Sequence, residues 1–191
     1  MDRALIASAG QSSNEYLARH LNALGYSRPT IVASGGEARR LVDKNQYSLV
    51  IINAPLPDEF GHELAIYMAE KTLSGVLLLA KPGVIDEVSD RIADRGVLIL
   101  QKPFGGPQFD QLVRLAASTH LRLLNVQAEC VRLQERLQQL RLVDRAKCYL
   151  IEKRGMTEAD AHRYIEKLAM DTRRNRGEVA QSILEEGEQG T

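Results

Sequence analysis

SLVIINAPLPDEFG, residues 48–61, decides the fold. Its first half, Ser48–Asn53, is a near-continuous aliphatic run that stops abruptly in a stretch rich in proline and acid. A strand covered on one face alternates apolar and polar residues, whereas an unbroken aliphatic strand belongs to a parallel sheet covered on both faces. The same kind of run recurs at Val76–Ala80 (VLLLA) and Val97–Leu100 (VLIL). Shorter strands are predicted at Arg3–Ala9 and Thr30–Ala33. Helical spacing fills the gaps. Ser12–Leu24 carries Tyr16, Leu17, His20, Leu21 and Leu24 before a Gly25 stop, and further helices fit GGEARRLVDK from Gly35, His62–Lys71 and Val84–Arg95. Five strands alternating with helices in about 105 residues predict a doubly wound α/β domain.

The whole chain has 191 residues, with 25 Lys plus Arg against 25 Asp plus Glu, so it is not basic throughout. No apolar run approaches the roughly 18 residues that a membrane-spanning helix needs. The opening MDRALIASAG is too short in its apolar part for a secretory signal, so a cytoplasmic protein is expected, with no membrane partner. Cys130 and Cys148 have neither CxxC nor zinc spacing, which excludes a disulfide framework and leaves no metal site in prospect. The sequence also lacks a nucleophile–base arrangement, and Gly35-Gly36 lacks phosphate-loop spacing, so neither enzyme activity nor a cofactor is expected.

The pattern changes after Lys102-Pro103-Phe104. From Gln108 to Arg154 there is no Pro and no Gly. A heptad frame places Leu112, Thr119, Val126, Leu133 and Leu140 at d, and Ala116, Leu123, Cys130 and Leu137 at a. No charge falls on this seam, which predicts a coiled-coil homodimer. Its proposed contacts are Leu112, Leu123, Val126, Cys130, Leu133, Leu137 and Leu140, with Cys130 a packed thiol facing its symmetry mate. Near Gly155 the long helix ends, Thr157 is a good N-cap ahead of Glu158 and Asp160, and two short helices follow. A frayed tail is expected in EEGEQGT.

The first part resembles a response-regulator receiver domain over roughly residues 1–110. Receivers accept a phosphoryl group on an Asp four residues before a Pro and eight before a Gly. Here Pro57 and Gly61 are in place, but the acceptor position holds Asn53. The acidic pair that would hold Mg²⁺ is replaced by Ser8 and Ala9, and the hydroxyl residue ending the fourth strand by Ala80. Of the family's chemistry Lys102 alone remains, either in an ion pair or as a solvated lysine at a strand end. An amide is not a usable nucleophile for an acyl phosphate, so a binding surface is expected, receiving a sensor or sequestering protein, a second copy or a small ligand.

RAKCYLIEKRGMTEADAHRYIEKLAMDTRRNRGEVAQSIL, residues 145–184, resembles the ANTAR domain of the AmiR and NasR antitermination regulators. The matching positions are Ala146-Lys147, Leu150, Arg154-Gly155-Met156-Thr157, Glu158, Ala161, Ala169-Met170, Val179-Ala180 and Ile183-Leu184. Cys148 stands where the family usually has Gly, and Arg176, followed by Gly177, where it has an aliphatic residue. The resemblance implies a dimeric protein that holds paired hairpins in nascent leader RNA and prevents a terminator from forming. Charge agrees: residues 141–176 carry ten basic and six acidic side chains, net +4, whereas 1–110 carry 11 and 13, net −2. The expected RNA contacts are Lys147, Arg154, Arg163, Lys167, Arg173, Arg174 and Tyr149, with Tyr164 a weaker stacking candidate and His162 a surface residue.

The full expectation is α/β plus all-α. It comprises a pseudo-receiver over 1–106, a coiled-coil helix over 107–143, an ANTAR-like bundle over 144–186 and a tail over 187–191. A DNA-binding response regulator and a pure interaction scaffold are the alternatives.

Overall fold

The computed structural model describes residues 3–83, 92 and 94–189. Five strands, β1 (Ala4–Ala7), β2 (Thr30–Val32), β3 (Leu49–Asn53), β4 (Gly75–Ala80) and β5 (Val97–Gln101), form one sheet in the order β2-β1-β3-β4-β5. Every neighbouring pair is parallel. Helices α1 (Gln11–Ala23), α2 (Gly35–Val42) and α3 (His62–Lys71) fall between the strands. The predicted helix 84–95 lies outside the described residues except for Ile92, Asp94 and Arg95; Ile92 is buried.

The aliphatic runs fill two cores, one on each face of the sheet. Leu5, Val50, Ile52 and Leu78 pack with Leu64 and Met68 of α3, while Ile6, Leu49, Ile51 and Leu77 pack with Leu17 and Leu21 of α1. This double burial is why β3 and β4 read as unbroken hydrophobic runs.

The long helix α4 spans Gly106–Arg154, and α5 (Glu158–Thr172) and α6 (Arg176–Gln189) follow. Two compact units divide the chain at Asn125/Val126, within α4. The helix expected to leave the first domain as a free coil at residue 107 therefore spends its first turns in that domain's core. Phe109, Val113 and Ala116, spaced i, i+4 and i+7, are fully or almost fully buried there, and Leu112 packs partly against the same cluster. Leu112 and Ala116 are thus corrected from seam positions to core contacts of the first unit. At this crossing Gly75 comes under the backbone of Ala116, where a Cβ would sit 2.1 Å from the Ala116 carbonyl oxygen.

In the second unit, the last part of α4 packs with α5 and α6 around Ala146, Leu150, Ala161, Ile165, Val179, Ala180 and Ile183. The alanines let the helix backbones approach closely. Gly155, at φ +65°, closes α4, its N–H donating to the Ile151 carbonyl at 3.1 Å. The Thr157 hydroxyl caps α5 by accepting from the Asp160 N–H at 3.2 Å. Asn175 and Glu178 form a reciprocal capping box at α6: the Glu178 N–H donates to Asn175 Oδ1 at 2.9 Å and the Asn175 N–H to Glu178 Oε2 at 3.3 Å. In the tail expected to fray, α6 continues through Gln189, and the last two residues lie outside the described residues.

Candidate functional site

The acceptor position lies at the C-terminal edge of the sheet, where open α/β sheets bind ligands. Asn53 ends β3, and its amide donates to the Ser8 hydroxyl at 2.9 Å. Ser8 is buried, Ala9 is exposed and Ala80 is fully buried. Mg²⁺ in receivers needs hard anionic oxygens. One hydroxyl, a methyl group and an amide supply none, so the residues present do not fit that ion. The carboxylates of the neighbouring loop are committed elsewhere. Asp58 accepts from the Gly35 and Gly36 N–H groups at 2.9 and 3.0 Å, and those hydrogen bonds hold its pKa below the usual carboxylate value. Glu59 is paired with Arg39, with one hydrogen bond at 2.9 Å.

Lys102 is half-buried and has no ion-pair partner among the described residues, so it is neither an ion-paired nor a fully solvated lysine. Its ammonium donates to the Ala54 carbonyl at 2.6 Å. Burial foremost, then Lys81, pushes its pKa down. It borders a cavity of about 290 Å³ with Asn53, Ser12, Ser13, Tyr16 and Phe104. Sequence reasoning missed Ser12, Ser13 and Tyr16 as cavity residues. The available signal was two hydroxyls opening a helix just after the first strand.

The basic candidates are all in the second unit and differ in how free they are. Lys147 is held by Asp144 at 3.0 Å and Glu158 at 3.6 Å, with its side chain 19% exposed. The hydrogen bond to Asp144 raises its pKa. Arg154 donates to the Tyr164 hydroxyl at 3.2 Å and lies over that ring at 5.7 Å. Arg163 pairs with Asp160 at 3.1 Å, and Arg174 donates to the Glu178 carbonyl at 3.2 Å. Lys167 and Arg173 are exposed and make no side-chain ion pair among the described residues. Tyr149 and Tyr164 are partly buried against the bundle core, and exposed His162 pairs with Glu166 at 3.4 Å. Arg176 also binds Glu166, at 3.0 Å, while Gly177 lets Gln139 approach.

Helical spacing puts Arg163, Lys167 and Met170 on one outward face of α5, opposite Ala161, Ile165 and Ala169. Met170 is 72% exposed. The face ends at Arg173, a non-glycine residue at φ +53°, ψ 34°. There the Arg174 N–H donates to the Ala169 carbonyl at 3.1 Å and the Arg173 N–H to that of Met170 at 3.3 Å, a Schellman closure with arginine where glycine is usual. Cations, an exposed thioether and a strained cap can grip phosphates and cover an apolar base face.

Among the described residues no cluster of His, Cys, Asp and Glu could hold a metal ion, and no helix is long and apolar enough to cross a membrane. A receiver-like fold without the acceptor chemistry, followed by a basic helical module, is the layout of a two-part regulator.

Residues 131–184 match the ANTAR domain family. The transcriptional regulatory protein PdtaR of Mycobacterium tuberculosis, found in strains CDC 1551 / Oshkosh and ATCC 25618 / H37Rv, is 33% identical over 184 residues. The match covers 96% of this chain and 89% of PdtaR. The chain belongs to the family of transcriptional regulators that join a receiver domain to an ANTAR domain. Solved receivers share the fold of the first unit. A response-regulator receiver domain protein from Clostridium thermocellum gives a TM-score of 0.58 at 17% identity, covering 64% of this chain and 99% of that one. The receiver domain of the sensor histidine kinase PA1611 from Pseudomonas aeruginosa PAO1, with a magnesium ion in its active-site cleft, gives 0.51 at 19%, covering 61% and 98%.

Proposed function

We propose that this regulator is an RNA-binding antiterminator, not an enzyme, working in the cytoplasm. It holds hairpins in nascent leader RNA, so that the downstream terminator does not form. The observation that carries the reading is the exposed face of α5, where Arg163, Lys167 and Met170 lead into Arg173. Arg154, Arg174 and Tyr149 are further contacts in this reading. Lys147 contributes less, because RNA must compete with Asp144 and Glu158 for its ammonium.

Two hairpins call for two modules, and α4 offers the means of pairing them. Val126, Leu133, Leu137 and Leu140 are each more than half exposed, and Leu123 and Cys130 are exposed beside them in the same heptad frame. A contiguous apolar stripe of this kind on a monomer marks an interaction surface. A second copy, parallel and in register, covers it with identical knobs. Cys130 then faces Cys130 of the partner within disulfide reach. Mild oxidation of the full chain is expected to give a covalent dimer that Cys130→Ser abolishes and Cys148→Ser does not. Monomer alone, or crosslinking through Cys148, speaks against this pairing.

With no acceptor at residue 53, control of the regulator passes to a partner protein or a ligand at the receiver. The central test is binding of the purified protein to a two-hairpin leader RNA, beside a scrambled RNA and duplex DNA, across a salt series. Selective, salt-sensitive binding to the hairpins is expected. Preference for duplex DNA would make the protein a DNA-binding regulator, and no preference at all would make it an interaction scaffold.

A further inference from the structure

The cavity at the C-terminal edge of the sheet holds a cation that has lost its anions. Lys102 is the one charged residue among those lining it, and no described carboxylate pairs with it. In an ordinary receiver, an acidic cluster at this edge repels any incoming carboxylate. Here Ser8, Ala9 and the amide of Asn53 occupy those positions, so the charge facing the cavity is the half-buried ammonium of Lys102, with Lys81 as a second cation close enough to act on it. The opposite wall adds to it. Helix α1 has no acidic residue in its first turn and no side-chain cap from Gly10, and Ser12 and Ser13 bring two hydroxyls. The remaining wall is apolar and aromatic: the rings of Tyr16 and Phe104 lie 6.3 Å apart, tilted by 56°, beside Leu17 and Leu79. The volume is about 290 Å³.

The geometry points to a binding site for a small monoanion with a flat apolar body, an aryl or arylalkyl carboxylate. Its carboxylate sits between Lys102 and the hydroxyls of Ser12 and Ser13, and its ring rests against Tyr16 and Phe104. The changes that removed phosphoryl chemistry are the same ones that admit an organic anion. The site also touches the base of α4. Phe104 stacks on Phe109 at 5.9 Å and 16°, and Tyr16 contacts His20 at 4.6 Å. His20 in turn is hydrogen-bonded to Asp110 at 2.8 Å. An occupant pressing on Phe104 thus bears on the residues that seat α4. That this controls RNA binding rests on the antiterminator reading; binding in the cavity does not.

The test titrates the full isotope-labelled chain with 3-phenylpropanoate and, separately, with the neutral 3-phenylpropanamide and inorganic phosphate. The acid is expected to shift the amide signals of Ser12, Ser13, Tyr16, Asn53 and Phe104 saturably. The neutral amide should bind about tenfold more weakly, and Lys102→Met should erase that difference. No saturable shift, or equal affinity for acid and amide, overturns the site. Phosphate binding as tightly as the acid overturns its apolar half. The acid–amide comparison uses the unaltered chain, so a poorly folded variant cannot mask the result. Hairpin affinity is then measured with and without the acid: a change supports control through the cavity, and no change overturns that control. Cavity binding without any hairpin binding would sink the antiterminator reading and leave the site standing.

Discussion

Replacing Arg173 by Gly is expected to stabilise the second unit and weaken hairpin binding at the same time. Arg173 sits at φ +53°, a conformation that costs a residue with a Cβ about 1 kcal/mol and glycine almost nothing. The Schellman hydrogen bonds around it come from backbone N–H groups that glycine retains. A rise of up to about 1 kcal/mol in unfolding free energy, read by thermal or urea denaturation, should follow. RNA affinity should fall, because an exposed guanidinium with no ion-pair partner among the described residues is free to meet a phosphate. A charge-assisted hydrogen bond of about 1.5 kcal/mol corresponds to about tenfold in affinity. The log–log salt dependence should become shallower by about 0.7–0.9, the share of a single phosphate that is no longer neutralised. Adding Lys167→Gln should further weaken binding and flatten the salt dependence, since Lys167 lies on the same unpaired face. Unchanged affinity in the double variant places the RNA elsewhere. Opposite movement of stability and affinity is what separates a functional arginine from one that merely caps a helix.

The second large effect is expected at Gly75. An added methyl there would lie 2.1 Å from the Ala116 carbonyl oxygen and 2.5 Å from its carbon, both backbone atoms that no rotamer change can move aside. Either β4 or α4 must shift, and overpacking of this kind costs about 1–3 kcal/mol or more. Gly75→Ala should lower the melting temperature by several degrees and remove hydrogen-exchange protection from β4 and from the α4 turn around Ala116. Gly83→Ala is the control: an added Cβ there meets no atom of the described residues within 4 Å, and stability should barely change. A melting temperature unaffected by Gly75→Ala would mean that α4 does not lie against β4 at this point.

The sequence alone carried the sheet and most of the acceptor edge. Unbroken aliphatic runs report burial on both faces, and Asn53, Ser8, Ala9 and Ala80 can be read as chemically silent without coordinates. It also located Thr157 as a cap, because an N-cap depends on only a few neighbouring residues. Tertiary structure decided what depends on distant neighbours. The heptad frame treated Leu112, Ala116 and Leu123 alike, since periodicity tells that a face is apolar but not what covers it. The sheet core claims the first two and leaves the third exposed. In the same way, a count of basic residues makes Lys147 and Lys167 equals, whereas packing places two carboxylates on the first and, among the described residues, none on the second. The cavity itself arises where Ser12, Tyr16 and Phe104, the last remote in sequence from the other two, meet at one edge of the sheet. Local chemistry is written in residue identity and spacing; partners are set by long-range contacts, which only the folded chain brings together.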